Sequence, residues 1–336
     1  MQLKYTIIIP VYNRPEEIKE LLETIVQQTF EGDFETLIIE DGSTITSQSI
    51  VSSFTDRINV HYLSKKNSGP GDSRNFGMRH AQGNYFIILD SDSLLPPHYL
   101  ESVDEYLQQH YVDCFGGADA ATDSFTDIQK AINYAMTSFL TTGGIRGNKH
   151  SVGKFEPRSF NMGISRKAFE VTGGFGRIHP GEDPDLSIRL WKAGFQTAFI
   201  EDAFVYHKRR ISWEKYYKQV KKFGQTRAIL NRWHKQSRKV VHWFPTLFVL
   251  GFLFSLVFLY FGEWEFIFCY LTYFILIFVH SKHINKSIHI GLLSVWAVCI
   301  QFFSYGIGFW GATLRLFFSK KAPELLFPQL FFNDNN

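Results

Sequence analysis

Two aspartates one residue apart, Asp90 and Asp92, directly follow the apolar run Tyr85–Leu89. A run this short, uninterrupted and rich in β-formers is typical of a buried strand in a parallel sheet. Open α/β sheets bind their ligands at the carboxyl ends of such strands. Carboxylate oxygens suit Mg²⁺ and Mn²⁺, which bind phosphate oxygens at their remaining positions, so the pair can hold a metal–diphosphate. The alternative is an ordinary turn, in which the carboxylates cap backbone N–H groups.

The elements around this pair alternate between strands and helices. Four apolar runs are expected to form strands, at residues 5–12, 34–39, 58–63 and 85–89. Between the first two runs, one apolar face at helical spacing is formed by Ile18, Leu21, Leu22, Ile25 and Val26. A second helix is expected from the glycine-rich loop at 69–71 to about residue 82. This alternation predicts an α/β fold with a doubly wound, mostly parallel sheet.

Polar side chains also follow the other predicted strands. Tyr12 and Asn13 follow the first strand, and Asp41 follows the second. Asp41 can accept hydrogen bonds from a uracil imide or from ribose hydroxyls, although an Asp-Gly pair also fits a simple turn. The loop at 69–71 opens a helix whose N–H groups can bind phosphate, and Arg74 adds positive charge there. The sequence has no P-loop or dinucleotide-binding signature, so those two sites are not expected.

The order of these motifs resembles glycosyltransferase family 2. The N-terminal positions that carry the resemblance are Pro10-Val-Tyr-Asn13, Asp41-Gly-Ser43, Asn67-x-Gly69-x-Gly71-x-x-Arg74-Asn75-x-Gly77, Ala81-x-Gly83 and Asp90-Ser-Asp92. The later positions are Asn161-Met162, Gly173-Gly174-Phe175, Glu182-Asp183, Asp185-Leu186, Arg189-Leu190, Gly194 and His207. The resemblance covers roughly residues 4–227. It implies a GT-A fold, a nucleotide-diphosphate sugar donor, a divalent metal and inversion at the anomeric carbon.

The resemblance also implies roles for individual residues. The donor-binding residues expected from the motifs and their surroundings are Pro10, Tyr12, Asn13, Asp41, Arg74, Asp90 and Arg209. The expected ligands of a Mg²⁺ or Mn²⁺ ion are Asp90, Asp92 and His207. His207 is also compatible with a packed core histidine, and Arg209 with a contact to acidic lipid. Asn161 and Met162 are expected to line the sugar and acceptor pocket. The expected catalytic residues are Asp183, as general base, and Glu182.

The acidic pair Glu182-Asp183 has both a chemical and a structural interpretation. A carboxylate within hydrogen-bond reach of an acceptor hydroxyl can take its proton during attack on the sugar, which contributes ~10²–10⁴-fold. Alternatively, Asp183 is the N-cap of a helix that begins at Pro184, a contribution of about 1 kcal/mol. Capping does not explain the second acid in the same turn. The pair therefore favours catalysis.

Three long apolar stretches follow, at residues 243–261, 264–280 and 288–314. The first contains no charged residue and, at ~1.5 Å per residue, approaches the ~30 Å hydrocarbon core. Aromatic residues that suit membrane interfaces lie near the ends of these stretches, namely Trp243, Trp264, Tyr305 and Trp310. Helices of a soluble domain would need polar faces that these stretches lack. A transmembrane domain of two or three helices is therefore predicted.

Charge indicates which side of the membrane the first half occupies. Residues 208–239 carry twelve Lys and Arg against one acid, whereas residues 1–207 carry eighteen against twenty-seven acids. A basic segment beside a span is typical of the cytoplasmic side and binds anionic headgroups. No nucleic-acid-recognition motif accompanies it, so nucleic acid is not an expected partner. We expect a multi-pass protein of the bacterial inner membrane, with its catalytic domain in the cytoplasm and membrane lipids as partners.

The number of spans is left open by the charge pattern. Three full spans would place Arg315, Lys320 and Lys321 outside, against the positive-inside rule. Either a weak terminus breaks the rule, or the third stretch is re-entrant or partly interfacial. The predicted domains are a GT-A domain (1–210), a basic amphipathic interface segment (211–240), a transmembrane domain (241–318) and a tail (319–336).

Together these features predict a metal-dependent inverting glycosyltransferase. Its donor would be a nucleotide-diphosphate sugar, with UDP favoured by the family resemblance, and its acceptor a hydroxyl of a lipid-linked or cell-envelope glycan. One alternative is a polyprenyl-phosphate sugar transferase, whose phosphate acceptor needs no deprotonation. Another is a membrane scaffold that binds a sugar nucleotide without turnover, although such a binder does not need the acidic pair.

Overall fold

A computed structural model describes residues 4–120, 125–143, 154–207 and 212–332 of the chain. The chain divides into two compact units. Unit 1 consists of Met1–Thr122, Gly153–Lys208 and Phe331–Asn336, and unit 2 consists of Asp123–Val152 and Arg209–Leu330. The motif-bearing strands belong to unit 1, and the long apolar helices belong to unit 2. The domain boundaries expected at residues 210, 240 and 318 stay a prediction.

The described residues of unit 1 contain an eight-stranded sheet. Its strands are β1 (Tyr5–Val11), β2 (Phe34–Asp41), β3 (Val60–Lys65), β4 (Tyr85–Leu89), β5 (Ser93–Leu94), β6 (Cys114–Ala120), β7 (Asn161–Ser165) and β8 (Thr197–His207). They lie in the order β3-β2-β1-β4-β7-β6-β8-β5. The first four strands of this order pair in parallel, and β7 runs antiparallel to β4 and β6. The predicted α/β class and mostly parallel sheet are confirmed.

The helices alternate with the strands in unit 1 and dominate unit 2. In chain order they are α1 (Pro15–Val26), α2 (Gln48–Ser52), α3 (Pro70–His80), α4 (Tyr99–Gln109), α5 (Asp127–Thr137), α6 (Phe139–Thr142), α7 (Arg166–Thr172), α8 (Glu182–Lys192), α9 (Trp213–Trp233), α10 (Phe244–Tyr260), α11 (Glu265–Asn285), α12 (Ile288–Phe318) and α13 (Pro323–Leu326). Short 3₁₀ turns occupy Lys235–Ser237, Val240–Trp243 and Pro328–Leu330.

Both faces of the central strands are covered, which explains their uninterrupted apolar sequence. On one face of β1, Ile7 and Ile9 share a core with Leu21 of α1. On the other face, Ile8 shares a second core with Met78 of α3. A strand buried on both sides needs apolar residues at every position, since successive side chains point to opposite faces. The sheet ends that carry the predicted site are thus held by two cores.

The predicted strand bounds hold for β4 and shift in β2 and β3. β4 spans the predicted run, whereas β2 continues two residues further, to Asp41. β3 begins at Val60, the residue that pairs with Thr36 of β2. Ile58, where this strand was expected to begin, instead donates its N–H to the Phe54 carbonyl in the preceding turn. Turn hydrogen bonds therefore displace the start of β3 by two residues.

Unit 2 contains the basic segment and the apolar stretches. The interface segment was expected to form one or two amphipathic helices, and its described residues form one α-helix, α9. Within the described part of the chain, three helices are long and apolar enough to cross a membrane: Val240–Tyr260, Glu265–Asn285 and Ile288–Phe318. The short helix α5 also packs in this unit, where Tyr134 and Nδ1 of His280 form a hydrogen bond of 2.8 Å.

The close approach of α3 to the sheet depends on Gly77. An added Cβ there would overlap Cγ2 of Ile8 and lie 3.2 Å from Cγ1 of Ile39. We expect Gly77→Ala to lower the thermal unfolding temperature of the detergent-solubilised protein, through an overpacking cost of about 1–3 kcal/mol. Gly311→Ala is the matched control, because among the described residues no neighbouring group lies within 4 Å of its added Cβ. Equal melting temperatures for the two variants would contradict the packing of α3.

Candidate active site

The end of β2 holds the loop that opens α3. The Asp41 carboxylate accepts hydrogen bonds from the N–H groups of Ser68 and Gly69, at 3.0 and 2.9 Å, and from Nζ of Lys65 at 2.8 Å. Asn67 Nδ2 donates to the Asp41 carbonyl at 2.9 Å. Asp41 is therefore buried and fixes the position of this loop beside the strand ends. The donor-binding role expected for Asp41 stays a prediction.

Asn13 ties the end of β1 to the segment after β2. Its φ of 55° is a left-handed conformation, which asparagine tolerates better than most residues. Asn13 Oδ1 accepts hydrogen bonds from the N–H and hydroxyl groups of Thr44, at 2.8 and 3.0 Å, and from the N–H of Ile45 at 3.0 Å. Its own N–H donates to Ser43 Oγ at 2.8 Å. The expected donor residue Asn13 thus has an observed structural role.

Three further expected donor residues have different surroundings. Pro10 lies partly buried within β1, and Tyr12, just after that strand, is 51% exposed. Tyr12 is therefore accessible at the sheet edge where a nucleotide is expected. Arg209 lies outside the described residues, so its donor-binding role stays a prediction.

Asp90 and Asp92 follow β4 as predicted, and each faces an arginine. Asp90 Oδ1 accepts a hydrogen bond from Nη2 of Arg74 at 2.9 Å, and Oδ2 of Asp92 lies 3.7 Å from Nη1 of Arg14. The two aspartate side chains are 34% and 17% exposed, respectively. Both carboxylates are thus anchored by positive charge while part of their surface stays accessible.

The sheet brings the backbone of His207 next to this pair. β5 pairs antiparallel with β8, and Ser93 lies opposite His207 in that register. Because Ser93 directly follows Asp92 in the chain, this pairing places the His207 backbone beside the Asp90–Asp92 segment. The His207 side chain lies outside what the structure describes, so its role as a ligand stays a prediction.

The guanidinium of Arg74 connects the two acidic pairs of the sequence. Arg74 is only 4% exposed, and besides Asp90 it contacts Glu182, whose Oε1 accepts a hydrogen bond from Nη1 at 3.3 Å. The cation also lies 5.3 Å from the centroid of the Phe175 ring. Among the described residues, Nε of Arg74 has no hydrogen-bond partner. The positive charge expected near a diphosphate is therefore held between two carboxylates.

Glu182 is buried and surrounded by hydrogen-bond donors. Its Oε1 also accepts from Nδ1 of His179 at 2.9 Å, and its Oε2 accepts from the N–H of Gly181 at 2.8 Å. Burial alone would raise the pKa of Glu182, but His179 and Arg74 outweigh burial and lower that pKa to about 2. Glu182 in turn raises the pKa of His179, against the effect of burial. Glu182 is thus ionised at neutral pH.

The neighbouring carboxyl, Asp183, has the opposite electrostatic environment. Burial and the charge of Glu182 raise the pKa of Asp183 to about 6, although Arg74, Arg158 and a hydrogen bond from Ser159 act in the other direction. In the described part of the chain, Oδ1 of Asp183 is buried without a hydrogen-bond partner. Adjacent carboxyls whose pKa values are pushed apart are typical of acid–base sites. Asp183 is therefore suited to accept a proton near neutral pH.

The capping interpretation of Asp183 is wrong. Helix α8 begins at Glu182, and its N-cap is Gly181, whose φ of 124° glycine adopts without the steric cost of a Cβ. Asp183 lies within the first turn instead of at the cap. Gly194 follows the helix end as expected, with a φ of 86°. Capping by its side chain thus does not account for Asp183.

The burial of Asn161 and Met162 contradicts the expectation that they line the sugar and acceptor pocket. Both residues are fully buried. Asn161 Oδ1 accepts a hydrogen bond from the Tyr99 hydroxyl at 2.6 Å, and its Nδ2 donates to the Ala203 carbonyl at 2.8 Å. These bonds join β7 to α4 and β8 and occupy the amide with structural contacts.

Sequence reasoning missed two residues that contact the acidic pair, His179 and Ser159, and it named a third, Asn75, only as a position of the family motif. His179 and Ser159 hydrogen-bond Glu182 and Asp183, respectively. Asn75 of α3 exchanges two hydrogen bonds with the backbone of Phe175, both at 2.8 Å. Only His179 left a local signal, a histidine three residues before a glutamate at the start of a helix. The contacts of Ser159 and Asn75 join distant parts of the chain and leave no periodic pattern.

The Asp90–Asp92 segment has the ligand chemistry of a magnesium or manganese site. Among the described residues, no three His, Cys, Asp or Glu side chains are grouped so that they could hold a metal ion. Mg²⁺ commonly needs only one or two protein carboxylates, since waters and substrate phosphates supply its other ligands. Two partly exposed carboxylates one residue apart therefore fit a metal that binds together with a diphosphate.

Arg74 is expected to stabilise the fold through both acidic pairs. Replacing it with Met leaves Glu182 buried beside Asp90 without the cation, at a cost of about 3–5 kcal/mol. Chemical denaturation of the detergent-solubilised protein measures this loss. The matched control is Arg57→Met, which removes a surface ion pair to the half-exposed Glu23 and should cost less than about 1 kcal/mol. Equal stability of the two variants would contradict the linking role of Arg74.

Comparisons with known proteins give the family of the chain. The family model described as glycosyl transferase family 2 matches residues 6–173, which is 168 of the 336 residues. The Staphylococcus aureus poly(ribitol-phosphate) beta-N-acetylglucosaminyltransferase TarS is 30% identical over 114 residues, or 33% of this chain and 20% of TarS. Escherichia coli chondroitin synthase is 26% identical over 235 residues, or 60% of this chain and 34% of the synthase. The matches thus span a fifth to a third of these relatives.

A solved structure supports the fold over most of the chain. The mannosyltransferase PcManGT of Pyrobaculum calidifontis, in complex with GDP-Man and Mn²⁺, has a TM-score of 0.58 at 16% sequence identity. The match covers 96% of this chain and 89% of PcManGT. This likeness concerns the GT-A fold, whereas the family model rests on the sequence of the motif-bearing half. The chain belongs to glycosyltransferase family 2.

Proposed function

We propose that this chain is a membrane-anchored, metal-dependent inverting glycosyltransferase. Its donor is a nucleotide-diphosphate sugar, and its acceptor is a hydroxyl of a lipid-linked or cell-envelope glycan. The observation that carries the proposal is the buried carboxylate Asp183, whose Oδ1 has no partner within the described structure. It lies beside an ionised Glu182 that Arg74 connects to Asp90. Membership of family 2 and the similarity to two named transferases support the same reaction class.

The donor side comprises the carboxyl ends of β1, β2 and β4. Tyr12 is exposed there, and Asp41 holds the loop whose residues open α3. The family resemblance favours UDP as the nucleotide, with its base and ribose at Pro10, Tyr12 and Asp41. Asp90 and Asp92 would hold the Mg²⁺ or Mn²⁺, with His207 as a third ligand. The ion supplies electrostatic stabilisation of the leaving diphosphate.

The acceptor side comprises the first turn of α8. Asp183 accepts the proton of the acceptor hydroxyl as the oxygen attacks the sugar carbon, and the bond to the diphosphate breaks on the opposite side. A single in-line displacement of this kind inverts the anomeric carbon. Glu182 stays ionised and holds Asp183 at a pKa suited to a base near neutral pH. Arg74 balances the charge of both pairs.

Unit 2 supports a location at the inner membrane of a bacterium. Three helices among its described residues meet the length and composition required for a span, and α9 carries six Lys and Arg. A basic helix of this kind binds anionic headgroups on the cytoplasmic side. A catalytic unit on that side has access to cytoplasmic sugar nucleotides and to an acceptor carried by lipid.

The reaction is tested by nucleotide release from a panel of UDP-, GDP- and dTDP-sugars. The detergent-solubilised protein receives Mg²⁺ or Mn²⁺ and a bacterial membrane-lipid extract. We expect metal-dependent release from one donor, lost in Asp92→Ala and lowered ~10²–10⁴-fold in Asp183→Asn, because the base is removed. Glu170→Gln, at an exposed acid of α7, is the matched control and should retain the wild-type rate.

The same assay discriminates between the alternatives. Equal rates for Asp183→Asn and the wild-type protein would contradict a hydroxyl acceptor and favour a polyprenyl-phosphate acceptor, which needs no base. Donor binding without release, across the panel and with the lipid extract present, would contradict turnover and favour a sugar-nucleotide-binding scaffold.

A further inference from the structure

We propose that only α10 and α11 cross the membrane, as a hairpin, and that α12 lies in the membrane surface beside α9. The partner of α12 is then the layer of anionic headgroups in the leaflet that faces the catalytic unit. This inference rests on the membrane location proposed above but not on the transfer reaction. It resolves the third apolar stretch, which the charge pattern left open as either a span or an interfacial helix.

The first observation is the return of the chain to unit 1. Phe331, which follows the last described 3₁₀ turn of the chain, pairs with Ile178 through an isolated antiparallel bridge. The N–H of Phe332 donates to the Arg177 carbonyl at 3.2 Å, and its ring lies 5.8 Å from the ring of His179. Both ends of the intervening helices thus join the same folded, charged unit.

The return of the chain to unit 1 limits the number of times it can cross the membrane. A folded unit rich in charged residues does not extend across the hydrocarbon core, since each charge there costs several kcal/mol. The chain must therefore leave and re-enter unit 1 on one side of the bilayer, which requires an even number of crossings. Three described helices meet the length and composition required for a span. The helices therefore cross either twice or not at all, so at least one of the three does not cross.

The contacts of α10 and α11 are those of a spanning hairpin. Phe258 near the end of α10 packs on Phe266 near the start of α11, at 4.8 Å between ring centroids. Further along, Phe248 packs on Tyr273 at 5.7 Å. The two helices thus run antiparallel along most of their length. Their most apolar windows are only 17% and 11% buried inside the protein, which leaves most of that surface for lipid.

Helix α12 begins along α11 but then departs from it. The ring centroid of Phe302 in α12 lies 6.3 Å from that of Tyr273 in α11. Phe309 follows Phe302 by seven residues, or about 10 Å, and Phe266 precedes Tyr273 by the same number. In a third span antiparallel to α11, Phe309 would therefore lie level with Phe266. Instead, the Phe309 ring packs at 5.1 Å on Trp243, the residue before α10. Helix α12 therefore passes across the base of the hairpin instead of along it.

The second half of α12 lies along the basic helix α9. The Tyr216 hydroxyl donates to Gln301 Oε1 at 2.8 Å, and Nη1 of Arg232 donates to the Leu316 carbonyl at 3.2 Å. Between these points, a Cβ added to Gly224 would overlap the backbone of Tyr305, so the two helices are closely packed. A helix with six Lys and Arg cannot occupy the hydrocarbon core. Because α12 packs along α9, its second half also lies outside that core.

The surface and length of α12 also suit an interfacial helix. Its most apolar window is 44% buried inside the protein, far more than in either hairpin helix. At ~1.5 Å per residue, its 31 residues extend well beyond the ~30 Å hydrocarbon core. Large side chains that remain exposed for lipid contact are Trp296, Ile307, Trp310, Phe317 and Phe318. In this arrangement Arg315, Lys320 and Lys321 lie on the same side as the basic segment, in accord with the positive-inside rule.

The arrangement is tested by labelling single cysteines in the chain of 336 residues. Cys269 and Cys299 are first replaced by serine, and the fully buried Cys114 is kept. Glu263→Cys, in the α10–α11 turn, and Lys320→Cys, after α12, are then treated with a membrane-impermeant maleimide. Bacterial membrane vesicles of both orientations are compared, and the protein without either new cysteine is the blank.

The hairpin arrangement predicts opposite sides for the two new cysteines. Glu263→Cys should be labelled only in right-side-out vesicles, and Lys320→Cys only in inside-out vesicles, like Lys235→Cys in the basic segment. Labelling of Lys320→Cys in right-side-out vesicles would overturn the proposal in favour of three spans. Labelling of Glu263→Cys only in inside-out vesicles would overturn it in favour of a wholly interfacial unit. Neither outcome depends on transferase activity.

A C-terminal reporter gives a second measurement that requires no internal substitution. Green fluorescent protein fused after Asn336 should fluoresce in intact bacterial cells, and alkaline phosphatase fused there should be inactive. The reverse pattern would overturn the proposal.

Discussion

The site depends on one buried cation that lies between two pairs of acids. The Arg74 guanidinium donates to Asp90 after β4 and to Glu182 at the start of α8, although these residues are far apart in the sequence. Without that charge, burying Glu182 beside Asp183 and near Asp90 would place several negative charges together in a region of low dielectric. Gly77 lets α3 approach the sheet, and Asn75 joins that helix to the segment before α8, so the fold holds Arg74 where both pairs need it.

The contact between Arg74 and Glu182 helps to give two adjacent carboxyls, Glu182 and Asp183, different pKa values. Glu182 accepts hydrogen bonds from Arg74, His179 and a backbone N–H, all of which stabilise its ionised form. Asp183 is buried next to that negative charge, and the balance raises its pKa. One carboxylate is therefore a permanent charge, while the other changes protonation near neutral pH. Asp90 and Asp92 remain partly exposed. In the function proposed above, diphosphate binding at Asp90 and Asp92 is separate from proton transfer at Asp183, and Arg74 connects the two.

Much of this arrangement was predictable from local patterns. The run at 85–89 predicted β4 and placed Asp90 and Asp92 at its carboxyl end, because a strand covered on both faces leaves a continuous apolar signal. Capping preferences misplaced the start of α8, since the actual N-cap is a glycine with positive φ. The Arg74–Glu182 pair and the return of Phe331 to Ile178 join distant segments, and such contacts leave no periodic signal. Hydropathy likewise cannot separate a span from an interfacial helix, because that distinction depends on what α12 packs against.

The measurement that tests the central claim most directly is the pH dependence of kcat for nucleotide release at saturating donor and metal. The proposed base, Asp183, must be ionised to take the acceptor proton, and burial and the charge of Glu182 raise its pKa to about 6, so kcat should fall as the pH drops through about 6. The fall should follow a single protonation. Enzyme returned to pH 7.5 after exposure to pH 5 should recover full activity, which separates protonation from unfolding. A kcat that stays constant from pH 5 to pH 8 would contradict Asp183 as the base and the charge separation imposed by Arg74.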